Sequence, residues 1–454
     1  MIGLAKTGGD VNGPARTRDG VATGFRWPLL VGLLAMLGMW VAPASAPAAS
    51  CGGGRQCACG DTVSADYVLA RDLGPCSGHG LSVKSRVTLD CAGARITGLG
   101  NGSEQWGIIL DGKVGAEVSG ATVKNCKVSG FFRGIRLRSA SGNVISANTT
   151  TGNGNQSTHE GYGIDVSGAS TDNLIEKNQV HGNADEGIHV GRGSNKNRLV
   201  ANVSSDNYRE NLYVLAAHSG VFQRNTLGGG GINSLYLKDS SFNRFEGNTF
   251  VGKTARIIGN ARDNVFVGNT FSSAGVHFTE YKEKPPRHPT GNRVTGGEIS
   301  NANECIRFTN STDNVVADVS LAECRTTVRA ESHGGPTTNT VVGDITGKME
   351  IDDDSTLDLG FDVKVEVREP SGVPVPGAQV EARDPSGGTA FSAATDDAGK
   401  IPTQIAIGAS RTGGKTTPRP PLTLAVSKPG YVTDTRTLPT AGPVNLSISL
   451  KPDH

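Results

Sequence analysis

"GIDVSGASTDNLIEKNQVHGNADEGIHVGRGSNKNRLVAN", residues 163–202, states one frame twice. Gly163-Ile-Asp-Val returns as Gly187-Ile-His-Val, and Asn173-Leu-Ile-Glu-Lys-Asn returns as Asn197-Arg-Leu-Val-Ala-Asn, each after 24 residues. Both copies consist of short apolar runs separated by Gly, Asn, Asp and Ser, the text of brief strands joined by turns. A single such unit cannot bury its own apolar side, whereas units stacked at strand spacing enclose a continuous interior.

The first landmark runs outward through Gly107-Ile-Ile-Leu, Gly134-Ile-Arg-Leu, Asn211-Leu-Tyr-Val and Ser234-Leu-Tyr-Leu. The second recurs from Asn143 to Asn339 at spacings between 21 and 30 residues. Irregular but unbroken repetition of this kind specifies a parallel β-helix over about 81–358, a rod on the order of 50 Å long at the spacing of stacked strands. Asn148, Asn178, Asn202, Asn225, Asn248 and Asn269 each fall five residues after a second landmark. They are expected to pile up at one turn, tolerating left-handed backbone and bonding to one another, so their role reads as structural.

Composition agrees. The 454 residues include 63 Gly and only 4 Met, leaving few stretches able to propagate a long amphipathic helix. A net charge of +1 supplies no global field for nucleic acid or an anionic membrane, so an acidic partner must be met by a local patch.

Arg16, Arg18 and Arg26 precede an apolar run from Trp27 and a small-residue stretch ending near Ser50. This order reads as a secretory signal over 1–46, implying a secreted, cell-envelope or periplasmic protein. Membrane contact would require retention of that segment or lipidation of Cys51. The eight cysteines fit disulfides in an exported chain, with five of them between 51 and 91 stapling a cap over 47–80. Cys305 and Cys324, on neighbouring coils, are expected to pair.

From Phe361 the pattern changes to longer alternating strands such as Val363-Lys-Val-Glu-Val, punctuated by Pro/Gly turns. A small β-sandwich over 361–454 follows, giving an all-β chain of parallel β-helix and sandwich.

The Gly-Ile-x-Val and Asn-x-Val/Phe-x-x-Asn frames resemble those of right-handed parallel β-helix proteins with PbH1-type repeats, which include NosD-like proteins, pectate lyases and alginate C5-epimerases. Gly372-Val-Pro-Val-Pro-Gly-Ala, Thr395-Asp-Asp-Ala-Gly-Lys and Lys428-Pro-Gly-Tyr-Val resemble the transthyretin-like, carboxypeptidase-regulatory-like module, which implies an accessory role. The Asp-Pro-His-Asp signature of alginate epimerases and the Arg-x-Pro-x-x-Arg pattern of pectate lyases are absent. Copper handling of the NosD kind needs clustered His, Met or Cys, which this sequence does not offer.

Strand alternation turns Ile and Val of Gly-Ile-x-Val inward and the residue between them outward. One outward column therefore reads Ile109, Arg136, Asp165, His189, Tyr213 and Tyr236, and a second, two residues on, includes Asp111, Arg138 and Lys238. Uronate lyases and epimerases need a cation for the C5 carboxylate, a base for the C5 proton, and an acid for the leaving oxygen or the opposite face. His189 and Tyr213 suit base and acid, Asp165 orients His189, and Arg136, Arg138, Tyr236 and Lys238 suit substrate binding. Calcium between substrate carboxylates and Asp165 or Glu186 is the one cofactor left open, although no loop carries a calcium-binding pattern. The partner expected is a polysaccharide, acidic in this reading. The same column also fits a non-catalytic carbohydrate-binding face or a structural envelope protein whose surface is merely kept soluble by cross-strand pairs.

Overall fold

The computed structural model describes residues 49–100, 104–282 and 284–453, so the expected signal segment lies outside the described residues. All named elements are strands. The repeat forms a parallel β-helix with three walls. The front wall is a 14-stranded sheet running from Ser50–Cys51 to Met349–Ile351, and every pairing within it is between successive coils. The cysteine-rich segment contributes Ser50–Cys51 and Thr62–Val63 to this same wall. A second wall stacks Val144–Ser146, Leu174–Glu176 and Arg198–Val200, and a third stacks Thr149–Thr151, Gln179–His181 and Val203–Ser205.

Interior rows follow the motif. Ile135, Ile164, Ile188, Leu212 and Leu235 lie one above another, as do Leu137, Val166, Val190, Val214 and Leu237, all buried. Phe222, Phe245 and Phe266 stack nearly parallel, with ring centroids 4.4 and 4.5 Å apart. Such pairs add roughly 0.5–1.5 kcal/mol each beyond burial of their area. The glycine that opens the motif is required by close approach: a Cβ on Gly163 would lie 2.5 Å from Val180 Cγ1, and one on Gly187 would lie 2.2 Å from Ser204 Oγ.

The asparagines form ladders. Asn148, Asn178, Asn202, Asn225, Asn248 and Asn269 pass a side-chain amide hydrogen bond of 2.9–3.0 Å from rung to rung between the second and third walls. A second ladder joins Asn143, Asn173 and Asn197 and resumes from Asn243 to Asn339, interrupted where Gly220 carries no side chain. A third, not anticipated, joins Asn153, Asn183, Asn207 and Asn211. One expectation is corrected. The left-handed residue at the first ladder's turn is the one before the asparagine, namely Ala147, Lys177, Ala201, Arg224, Gly247 and Gly268, with φ between 52° and 59°. None of these asparagines has a positive φ.

Four disulfides join Cys51 to Cys57, Cys59 to Cys76, Cys91 to Cys126 and, as expected, Cys305 to Cys324. Thr356–Arg368 is a single strand that begins as a rung of the rod, parallel to Thr338–Val342, and ends in the C-terminal sandwich. Gln404–Thr412 runs antiparallel along its first part and Val444–Ser449 parallel to its last. A separate four-stranded sheet closes the other side over a core that includes Val363, Val380, Leu424 and Ile448.

Candidate functional site

Register places the outward column as the sequence suggests, with Ile109, Arg136, Asp165, His189, Tyr213 and Tyr236 on successive front-wall rungs. The column then continues through Arg256, His277, Arg307, Arg329 and Glu350. It is not uniformly solvent-facing. Asp165 points away from the core yet is only 1% exposed, because longer side chains from neighbouring rungs close over it.

Those side chains define the site. His189 Nδ1 lies 3.0 Å from Asp165 Oδ1, Arg133 Nη1 is 2.8 Å from Oδ2, and Arg136 Nε is 3.5 Å from the same oxygen. The Ser167 hydroxyl donates to Oδ2 at 3.1 Å. Burial opposes ionisation of Asp165, but the bond to His189 and the Arg133 and Arg136 charges outweigh it and hold the carboxyl below its ordinary range. With Nδ1 committed to Asp165, the imidazole presents Nε2 as its other nitrogen.

His189 sits between two phenols, with ring centroids 4.8 Å from Tyr162 and 5.5 Å from Tyr213. Tyr236 meets Tyr213 edge-on at 5.3 Å. Burial, joined by nearby carboxylates, pushes the Tyr162 and Tyr213 hydroxyls far above the usual phenol range, while Tyr236 is pushed up to about 12, chiefly by burial. All three remain protonated donors at neutral pH.

Arg133 and Tyr162 belong to a third outward column, at the strand entries, that also includes Glu186 and Glu210. The residue just before the motif glycine stands at the strand entry, giving Trp106, Arg133 and Tyr162 in register, then Glu186 and Glu210. The signal was present in the text, in the position preceding Gly of Gly-Ile-x-Val. Arg136 lies over the Trp106 ring at 4.3 Å, and Arg133 over Tyr162 at 5.0 Å.

Asp185, Glu186 and Glu210 share one cation. Arg209 reaches them at 3.6, 4.0 and 3.6 Å respectively. Burial raises all three carboxyls above their ordinary range, Asp185 to about 6. Glu186 is pushed furthest toward its protonated form by burial and by the neighbouring Asp185 and Glu210 carboxylates, since three adjacent carboxylates beside one guanidinium cannot all ionise. Neither Asp185 nor Arg209 was singled out by sequence.

Other expected binding residues are placed differently. Arg138 is held by Asp111 in a two-pronged pair of 2.6 and 2.5 Å, and the Lys238 ammonium lies 3.3 Å from the centroid of Tyr281. The structure therefore groups Asp165, His189, Tyr213 and Arg136, continues the aromatic line to Tyr236, and engages Arg138 and Lys238 elsewhere. The insertion containing His159 folds back so that this ring stacks on Tyr208 at 3.6 Å. Asp165, offered by sequence as a calcium bridge, is enclosed by its cationic partners. Among the described residues no group of three or more His, Cys, Asp or Glu is arranged to hold a metal ion.

A family model described as right handed beta helix region matches residues 76–203 and 155–285, in keeping with the all-β, right-handed parallel β-helix seen here. Among solved structures, a single-site mutant of the periplasmic alginate epimerase AlgG is 14% identical with a TM-score of 0.41, covering 53% of this chain and 62% of that one. Unmutated AlgG is 13% identical with a TM-score of 0.40, over 57% of this chain and 77% of its own. The A-module of the Azotobacter vinelandii mannuronan C-5 epimerase AlgE4 is 14% identical with a TM-score of 0.34, over 62% and 89%. No curated protein sequence matches the chain. These likenesses concern the fold alone.

Proposed function

We propose that this protein is an exported enzyme acting on an acidic, uronate-containing polysaccharide, as a lyase or C5-epimerase. One observation carries the reading: a histidine whose Nδ1 is fixed by a buried carboxylate at 3.0 Å, set between two phenols in a line running along the rod. Four disulfides support an oxidising location. On the same reading the C-terminal sandwich is a transthyretin-like accessory module.

The chemistry follows from the geometry. His189 Nε2 takes the C5 proton, and the electron pair passes into the C5–C6 carboxylate system, where Arg136 offsets the added charge. In a lyase the pair returns to form the C4–C5 double bond as the C4–O bond breaks, and the Tyr213 hydroxyl protonates the departing oxygen. In an epimerase Tyr213 instead returns a proton to the opposite face of C5. Asp165 is a positioning residue that stabilises the imidazolium formed in the first step.

The aromatic line through Tyr162, Tyr213 and Tyr236 also supports a second reading, a carbohydrate-binding face without chemistry. Incubation with a panel of uronate polymers separates the two. Elimination gives an unsaturated uronate absorbing at about 232 nm, and epimerisation incorporates solvent deuterium at C5. Either signal must vanish in His189→Ala and fall steeply in Tyr213→Phe. Binding without either signal, weakened more by Tyr213→Ala than by Tyr213→Phe, would establish the binding reading instead.

A further inference from the structure

Farther along the front wall, a cleft of about 480 Å³ opens at the strand-entry edge. Its lining includes Ile232, Lys253, His277, Asn303, Glu304 and Arg325. His277 occupies the same outward column as His189, four rungs on through Tyr213, Tyr236 and Arg256. At the spacing of stacked strands this is on the order of 19 Å. Glu304 and Thr326 stand in register at the strand entry, the edge that carries Tyr162, Glu186 and Glu210 nearer His189. A polymer lying along that edge would pass both places.

The charges differ in one respect. Around His189 the arginines Arg133 and Arg136 pair with Asp165, Arg138 with Asp111, and Arg209 with the acidic trio. In the distal cleft Glu304 is already matched by Arg307 at 3.3 Å and Arg329 at 2.8 Å. Burial, reinforced by the Arg307 charge, lowers His277 to about 4, so it is neutral at ordinary pH. The side chains of Lys253 and Arg325 make no hydrogen bond or ion pair among the described residues. The cleft thus holds two uncommitted cations, amide and hydroxyl groups from Asn303 and Thr326, and the exposed apolar side chain of Ile232. That combination suits a sugar ring bearing an anionic group: cations for the anion, polar groups for hydroxyls, and an aliphatic surface for the ring's C–H face.

We propose that this cleft is a distal subsite for an anionic sugar unit, which Lys253 and Arg325 hold while another unit of the same chain lies at His189. The proposal rests on the polysaccharide reading given above, but its test does not depend on turnover. The His189→Ala protein is titrated calorimetrically with octasaccharides of galacturonate, mannuronate and guluronate, with a sulfated neutral octasaccharide, and with the unsulfated neutral one. At least one anionic octasaccharide is expected to bind. Adding Lys253→Met and Arg325→Met, both on the surface, is expected to weaken it by about tenfold or more, with the largest loss at low salt. The carboxylated and sulfated arms identify which anion is preferred. Trisaccharides, too short to span both places, are expected to bind the His189→Ala protein more weakly than the octasaccharides. Equal octasaccharide affinity with and without the two cations overturns the subsite, as does failure of every anionic octasaccharide to bind. Loss of anionic binding in the double substitution, together with no turnover of any polymer by the protein with His189 intact, would uphold the subsite and refute the enzymatic reading.

Discussion

Replacing Asn178 with alanine removes one rung of the central amide ladder, and the cost follows from its bonds. Its side chain donates to Ile145 O and Asn202 Oδ1, both at 2.9 Å, and accepts from the Asn148 backbone amide at 2.9 Å and from Asn148 Nδ2 at 3.0 Å. All four lie in the interior, where water cannot replace the lost partner. At about 1 kcal/mol net per bond, Asn178→Ala should cost about 4 kcal/mol, with a further increment for donors left buried and unpaired. The last rung, Asn269, gives a calibrated comparison, because its side chain makes only three such bonds: one to Phe245 O and two from Asn248. Asn269→Ala should therefore cost about 3 kcal/mol. Urea unfolding followed by circular dichroism reads both, and hydrogen exchange should show the Asn148 amide losing protection. Asn178→Asp keeps the shape but turns a carboxylate oxygen toward two acceptors. Its folded-state pKa must rise, so its penalty should be smallest at low pH and grow as pH rises through that value. A loss below about 1 kcal/mol for Asn178→Ala, with Asn148 still protected, would refute the claim that the ladder holds the rungs together.

Asp165→Asn should preserve the fold while disrupting the tautomer and charge support of His189, lowering turnover on a responsive polymer on the order of a thousandfold, read from initial rates. Arg209→Met strips the acidic trio of its shared cation. After allowance for the half-exposed guanidinium, the loss should be about 1–3 kcal/mol at alkaline pH. Because the raised pKa of Asp185, about 6, favours its protonated form in the fold, that loss should shrink as pH falls through this value and grow as pH rises, which urea titrations across pH will show. Ala201→Gly relieves a non-glycine residue at φ 54° and should raise stability by about 0.5–1 kcal/mol in the same unfolding assay.

The fold was readable because its information is redundant. The spacing from Gly163 to Gly187 and from Asn173 to Asn197 sets the rung length, alternation in Ile188-His189-Val190 sets inside and outside, and each coil repeats the instruction. The side-chain partnerships of the site were less so, because they join residues from different rungs. Asp165 is buried by Arg133, from the preceding coil and three positions upstream of Arg136, and nothing in strand alternation specifies that reach. Glu186 and Glu210 stand one position before the motif, but their raised carboxyls come from burial and their shared cation, Arg209, from the turn before Glu210, and strand alternation specifies neither. The engagement of Arg138 with Asp111 was written in the second column all along, as opposite charges on adjacent rungs. The left-handed residue lies one position before each asparagine, and because it varies among Ala, Lys, Arg and Gly it leaves no residue signature in the text.

The strand Thr356–Arg368 has a consequence for solution behaviour. Each rung of a rod made from identical steps is a template for the next, so a rod's end is an invitation to grow. Gln404–Thr412, laid antiparallel along Thr356 to Val363, uses the backbone groups that a further parallel rung would need. A chain cut before Thr356 would leave Thr338–Val342 as a bare edge, open to the first rungs of another copy. Along this wall, Gln404–Thr412 thus occupies the edge on which another rung would otherwise be laid.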